Sequence, residues 1–133
     1  MERIKEYFKK DMFAKHCGIV LMEVSKGSAK VKMDITPDHI NGVGIVQGGA
    51  IFTLADLAFA MASNSYGTVA VAINVNISFI KAINKGTLYA QASETSMNPK
   101  LATYDVRVTD DADNLIALFQ GMVYRKEKKL EEV

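Results

Sequence analysis

The stretch QGGAIFTLADLAFAMASNS, residues 47–65, decides how the rest of the chain is read. Its apolar residues fall on nearly every side of a helix, so it predicts a helix over about 48–66 that is covered on more than one side. One acid, Asp56, sits in its middle. Working outward, Asp56 is the only formal charge between Asp38 and Lys81 when His39 is neutral. A carboxylate kept in such surroundings is either tied to a neighbouring loop to shape the core or retained for chemistry. Burying it unpaired costs several kcal/mol and raises its pKa, which suits a general base or nucleophile facing a small wet pocket. Residues 50–66 are marginal in length for a membrane span and rich in Ala, Ser and Asn. A central Asp would also cost about 2.5–3.5 kcal/mol on insertion. A buried helix is the better reading.

The flanks define the fold class. Upstream, Ile4, Tyr7, Phe8, Met12 and Phe13 share one face of a predicted amphipathic helix over 2–15. Two strands follow, 18–26 and 28–36, the second alternating Val31, Met33 and Ile35 with Lys30, Lys32 and Asp34. Pro37 ends it, and PDHINGVGIV forms a loop into the central helix. Downstream lie strands at 69–80, 86–95, 101–109 and 114–125, joined by INKG, SMNPK and DDAD in the manner of a meander. Short turns imply antiparallel pairing. The final KEKKLEEV, 126–133, reads as a frayed, solvated tail. One long apolar helix against one antiparallel sheet is an α+β arrangement in a single domain, residues 1–133. The sheet covers one side of the helix, and a second subunit is available for the other.

Composition narrows the function classes. With 49% apolar residues, 23% charged and a net charge of +1, the chain resembles an ordinary soluble domain and has no basic, aromatic-interleaved patch for nucleic acid. The single cysteine, Cys17, is compatible with a reducing compartment and reads as a helix-end core thiol. MERIKEYFKKDMF has no apolar run behind its charges, so a cytoplasmic location is expected. Gly42-Val-Gly44-Ile-Val-Gln47-Gly48 approaches a dinucleotide fingerprint, but its third glycine is one position late and no strand–helix alternation surrounds it. No phosphate-binding loop, nucleophile elbow or metal-spaced Cys/His cluster is present, and neither a metal nor a cofactor is expected.

What remains is Asn41, Gln47-Gly48-Gly49 and Asp56. Glycines 48 and 49 expose backbone N–H groups at a helix start, where the dipole adds partial positive charge. Such a terminus can hold the oxyanion that forms on a carbonyl; equally, the glycines permit a tight loop-to-helix junction. Gly48 and Asp56 lie about 12 Å apart along one helix. A base must reach its reacting atoms within about 3–3.5 Å, or through one water. Two such helices packed antiparallel in a symmetric dimer bring Gly48 of one chain to Asp56 of the other, so shared sites are expected.

NGVGIVQGGAIFTLADLAFAMASNSYG resembles the helix signature of hotdog-fold acyl-CoA thioesterases of the phenylacetate-degradation (PaaI) type. NISFIKAINKGTLYAQA and NLIALFQGMVYR are similar to that family's strands. The resemblance implies hydrolysis of an acyl-CoA to a carboxylic acid and CoA. It implies Asp56 as general base or nucleophile, Gly48 as the amide that polarises the thioester carbonyl, and Asn41 as orienting substrate or water. Gln47 stands where the family usually has His; an amide donates a hydrogen bond but takes up no proton near neutral pH. For the CoA phosphates Lys81 is the first candidate, then Lys100 and Arg125-Lys126. Asn74 and Asn76, with Ser78 on the same strand face, are expected at a dimer junction, lining a pantetheine channel or bonding across the interface, and Gly49 near the substrate. Phe52 and Phe59 read as core, or as walls of an acyl pocket. A dimer-of-dimers tetramer is implied. Two rival readings are a non-catalytic acyl-CoA-binding module and an acyl hydratase or dehydratase, the latter weakened by Gln47.

Overall fold

In the computed structural model, which describes residues 1–133, the predicted N-terminal helix divides into α1 (Glu2–Lys9) and α2 (Met12–His16). The break has a local cause. The Asp11 carboxylate accepts the Ala14 N–H at 2.9 Å and so caps the start of a new helix. The new axis turns Met12 and Phe13 outward, 64% and 62% exposed, while Ile4 and Ala14 are buried. The expectation that Met12 and Phe13 share the buried face with Ile4 is therefore corrected.

β1 (Ile19–Ser25) and β2 (Ser28–Asp34) form a hairpin around Gly27, whose φ of +76° is a left-handed value suited to glycine. The loop after β2 leads into α3 (Gly48–Ser63), followed by β3 (Thr68–Phe79), β4 (Thr87–Met97), β5 (Leu101–Thr109) and β6 (Leu115–Lys129). All six strands join one antiparallel sheet in the order β1-β2-β4-β5-β6-β3. The expected meander is thus corrected at one point: β3 pairs with β6, not β4. Residues 80–86 carry the chain across three strand spacings, roughly 14 Å, which seven residues span easily. The consequence is an outer β3 edge with no strand beside it.

The sheet curls around α3, touching it from all six strands, with α2 against it as well. One chain therefore covers this apolar helix on more sides than the sequence suggested. Leu54, Ala55, Ala58, Phe59, Met61 and Ala62 are almost fully buried. Each large side chain among them contributes about 1.5–3 kcal/mol of burial. Phe59 packs edge-on against Tyr104 and tilted against Phe119, and Phe52 meets Phe119 edge-on, so both helix phenylalanines belong to the core packing. Gly121 on β6 makes room: a Cβ there would lie 2.5 Å from the Phe59 ring.

The C-terminal segment is also corrected. β6 continues to Lys129, and a 3-10 turn over Leu130–Glu132 follows. Leu130 is 5% exposed, its N–H donates to the Gly67 carbonyl, and Glu131 pairs with Arg3 at 2.8 Å. Leu130, flanked on both sides by charged residues, docks the end of the chain beside α1.

Candidate active site

The loop before α3 is held by its own backbone and by two side chains. Asn41 Oδ1 accepts the N–H groups of Val43 and Ile45 at 3.0 and 3.3 Å, closing the loop's tip. His39, 7% exposed, accepts the Thr36 N–H at Nδ1, so its proton sits on Nε2 and is donated to the Cys17 carbonyl at 2.8 Å. The His39 carbonyl in turn accepts the Gln47 N–H, and Ile83 accepts that of Val46. His39 thus ties the end of α2 to the start of α3, a role its position in the sequence did not signal.

Gln47 is the N-cap of α3, with no side-chain capping bond. Its carbonyl accepts the N–H groups of Ala50 and Ile51, leaving those of Gly48 and Gly49 unbonded within the chain. Both glycines also sit in tight places. A Cβ on Gly48 would lie 3.1 Å from the Phe79 ring, and one on Gly49 would lie 2.6 Å from Gln47 Oε1. The two readings of the glycine pair are therefore compatible: close packing around bare backbone donors.

Gly48 opens into a cavity of about 350 Å³ lined by Asn41, Ile45, Val46, Gly48, Ile51, Phe79 and the 80–83 connection, with Lys81 at its rim. Asn41, Gly48 and Lys81 are thereby brought together. The wall is mainly apolar, with a backbone donor, an amide and an ammonium as its polar features. Lys81 is exposed and in no ion pair, whereas Arg125 donates to the Asn98 carbonyl and stacks on Tyr66 at a distance from this cavity's lining. Asn74 and Asn76 do not join the cluster. Their cross-strand partners are Met122 and Gln120, whereas Ile77 and Phe79 pair with the inward Phe119 and Ala117. The two asparagines therefore lie on the outer face of the sheet, in a shallow groove with Thr103, Asp105 and Gln120.

Asp56 is half-buried on α3, and its carboxylate has no hydrogen bond or ion pair within the chain. Burial, and secondarily the negative charge of Asp11, push its pKa above the usual carboxylate range. It does not line the Gly48 cavity. Two helical turns along α3 separate it from Gly48. No group of three His, Cys, Asp or Glu side chains is arranged to hold a metal. Asp11 is the charged neighbour that sequence reasoning overlooked. Its capping position was readable, but nothing in the spacing announced that α2 would fold back onto α3.

Comparison with known proteins agrees with this fold. Residues 43–117 match the Thioesterase superfamily. The chain is 44% identical to an Archaeoglobus fulgidus homologue over 94% of its own length and 82% of that protein. It is 35% identical to the acyl-coenzyme A thioesterase PaaI of Escherichia coli K12, over 89% of this chain and 85% of the relative. The solved E. coli PaaI superposes with a TM-score of 0.93, covering 96% of this chain and 94% of that one at 32% identity. A variant of the phenylacetic acid degradation protein PaaI from Thermus thermophilus superposes at 0.84, with 34% identity over 87% of this chain and all of that one. A curled antiparallel sheet around one long helix is the shared fold: the chain belongs to the thioesterase superfamily, as a hotdog-fold enzyme of the PaaI type.

Proposed function

We propose that this chain hydrolyses acyl-CoA thioesters to the free acid and CoA in sites shared between two copies. The observation that carries the reading is the half-buried Asp56 carboxylate left without any partner in its own chain. The fold leaves no fully buried side-chain polar atom without a partner, yet this half-buried group and the Gly48 amide stay unbonded. In the proposed mechanism the Gly48 N–H donates to the thioester oxygen, stabilising the charge that develops there. Asp56 of the partner copy takes a proton from water as the water attacks the carbonyl carbon; the C–S bond then breaks, that proton passes to the departing sulfur, and CoA leaves as the thiol with the free acid. In the direct alternative Asp56 attacks the carbonyl carbon, and the C–S bond breaks to give an acyl anhydride on Asp56 and CoA thiolate. Water then hydrolyses the anhydride to the free acid, its released proton going to the thiolate. A raised pKa makes Asp56 a stronger base than a surface carboxylate. Asn41, its oxygen committed to the loop, has its Nδ2 available to orient substrate or water. Lys81 is the candidate for the CoA phosphates, and Gln47 and Gly49 border the same helix start.

The β3 edge supports pairing of copies. It carries exposed Val71, Ile73, Val75 and Phe79, with Ile80 beyond it, and no strand covers its outer backbone groups. Such an edge is a template for a second strand. Antiparallel pairing across a two-fold axis gives the arrangement that the 12 Å separation demands. Asn74 and Asn76 then sit near that junction, on its outer side. Further association into a dimer of dimers fits the polar outer face, and a cytoplasmic setting fits the reactants.

Release of free thiol from a panel of short, medium and aromatic acyl-CoAs tests the proposal. Turnover of at least one ester, lost in Asp56→Asn, is the expected result. Binding of CoA esters with no thiol release from any of them overturns it in favour of a non-catalytic binding module.

A further inference from the structure

The loop that leads into α3 is held by a buried histidine that the proposed mechanism does not use. We propose that His39 is a positioning residue of this site: its neutral imidazole, bonded at both ring nitrogens, fixes the Gln47–Gly48 peptide so that the Gly48 N–H meets the substrate oxygen, and a proton added at Nδ1 releases that hold. The inference rests on the Gly48 amide being the donor to the thioester oxygen, as proposed above.

His39 is 7% exposed and is bonded at four points. Its Nδ1 accepts the Thr36 N–H at 3.0 Å, and its Nε2–H donates to the Cys17 carbonyl at 2.8 Å. Its own N–H donates to the Thr36 carbonyl at 3.0 Å, and its carbonyl accepts the Gln47 N–H at 2.8 Å. Next to it Ile40 bridges to Val46, and the Asn41 N–H donates to the Ile45 carbonyl, so the two limbs of the loop run side by side up to Gln47. The Gln47 carbonyl and the Gly48 N–H share one planar peptide unit. That carbonyl is held by the N–H groups of Ala50 and Ile51, while the Gln47 N–H is held by His39. Both ends of Gln47 are therefore fixed, and with them the direction of the one amide left free to meet a ligand oxygen.

A second ring proton turns Nδ1 from acceptor to donor. It then faces the Thr36 N–H, donor against donor, where water is nearly excluded. The Thr36 hydroxyl, 3.5 Å from Nδ1, is too far to take that proton unless the loop shifts. A buried charge and an orphaned N–H both favour such a shift, and Gln47 follows the His39 carbonyl. No neighbouring charge compensates. Lys15 and His16 on α2, Asp34 at the end of β2, Asp38 on the loop, and Lys81 and Lys85 on the 80–86 connection are exposed, and none is bonded to the ring. The Cys17 thiol is pushed up by burial and then by Asp11, so it stays protonated on the acid side. Asp56, on α3, titrates separately and makes no bond to His39.

The test follows three signals of the full chain against pH: the His39 ring 15N resonances, the Gly48 amide 1H–15N resonance, and kcat with KM. In the wild type the ring shifts should report a proton on Nε2 alone at neutral pH. The Gly48 amide should move with the His39 midpoint, and kcat should fall by about tenfold or more below it, since a small misplacement of a reacting group is enough for such a loss. His39→Asn offers an amide oxygen to the Thr36 N–H but takes up no proton. That variant should lose the part of the acid limb that follows His39, with neutral-pH kcat within about tenfold of wild type. His39→Leu, which accepts nothing, should lower kcat at every pH and leave KM little changed; if it folds poorly, the wild-type titration decides. A Gly48 amide that stays still through the His39 titration overturns the inference. So does an acid limb at the His39 midpoint that persists in folded His39→Asn. An amide that follows His39 while kcat does not leaves His39 holding the loop and refutes Gly48 as the oxyanion donor.

Discussion

The two ends of α3 are built on opposite rules. At the C-terminal end every polar side chain is employed. Asn64 Nδ2 donates to the Ala60 carbonyl and Oδ1 accepts the Ala70 N–H; Ser65 Oγ donates to Ala62 and accepts from Gly27; the Tyr66 hydroxyl donates to Glu94. At the N-terminal end two backbone donors and one half-buried carboxylate, two turns along, bond to nothing. Buried polar groups are normally satisfied because leaving one unpaired costs about 1–3 kcal/mol. The contrast is the one expected between a structural end and the reactive end proposed above, and substitutions at each end should fail in different ways.

The largest effect belongs to Asp56. Asp56→Asn should lower kcat by about 10²–10⁴, the usual contribution of a general base, in a thiol-release assay. It should also raise Tm at neutral pH. Because the folded state raises the pKa of Asp56, its contribution to stability is fully present below the ordinary carboxylate range and is lost as pH rises through its own, higher value. The Tm gap between variant and wild type should therefore close on acidification. A variant that loses stability at neutral pH would reassign Asp56 to the scaffold.

The helix start comes next. Gly48→Pro removes the N–H at the first helical position, where proline is well tolerated. Gln47, at φ −64° and ψ 138°, already has the extended conformation that a following proline requires. The expected loss is about 10²–10³ in kcat, as for deletion of one oxyanion donor. Gly48→Ala keeps the N–H and asks only that the Phe79 ring shift from a 3.1 Å approach, so it should retain most activity. Equal losses in the two variants would assign the effect to Phe79 packing. At the other end, Asn64→Ala should cost about 2 kcal/mol of stability by chemical denaturation and leave kcat unchanged.

These contrasts were only partly legible in the sequence. The uncharged run around Asp56 and the glycine pair marked the proposed site because burial and bare backbone leave direct traces in residue type. The antiparallel strands were legible through alternation. Their order was not: turn lengths say which strands can be neighbours, and the 80–86 connection is long enough to cross the sheet instead of turning back. Met12 and Phe13 misled because periodicity runs through Asp11, whose side-chain cap restarts the helix on a new axis. Leu130 was a single apolar residue among charges, too little for a pattern yet enough to dock a chain end. Asn74 and Asn76 were correctly placed on one strand face, but which face looks at α3 was settled by the β3–β6 register.

Gln47 carries the smallest expected effect and the sharpest test of how the reactive end works. Its side chain is exposed, forms no hydrogen bond, and lies over Gly49. A residue held by nothing adds little to a pre-organised site, so Gln47→Ala should change kcat/KM by less than about tenfold. Gln47→His places a group of ordinary pKa near 6.5 at the same helix start. If proton transfer is complete with Asp56 alone, that variant keeps the wild-type pH profile of kcat. If a proton relay at this position assists the reaction, the variant gains a new limb near that pH together with a higher rate. A loss in Gln47→Ala as large as that of Gly48→Pro would move the amide side chain from the border of the site to its centre. The oxyanion would then be held by one backbone and one side-chain donor rather than by bare backbone.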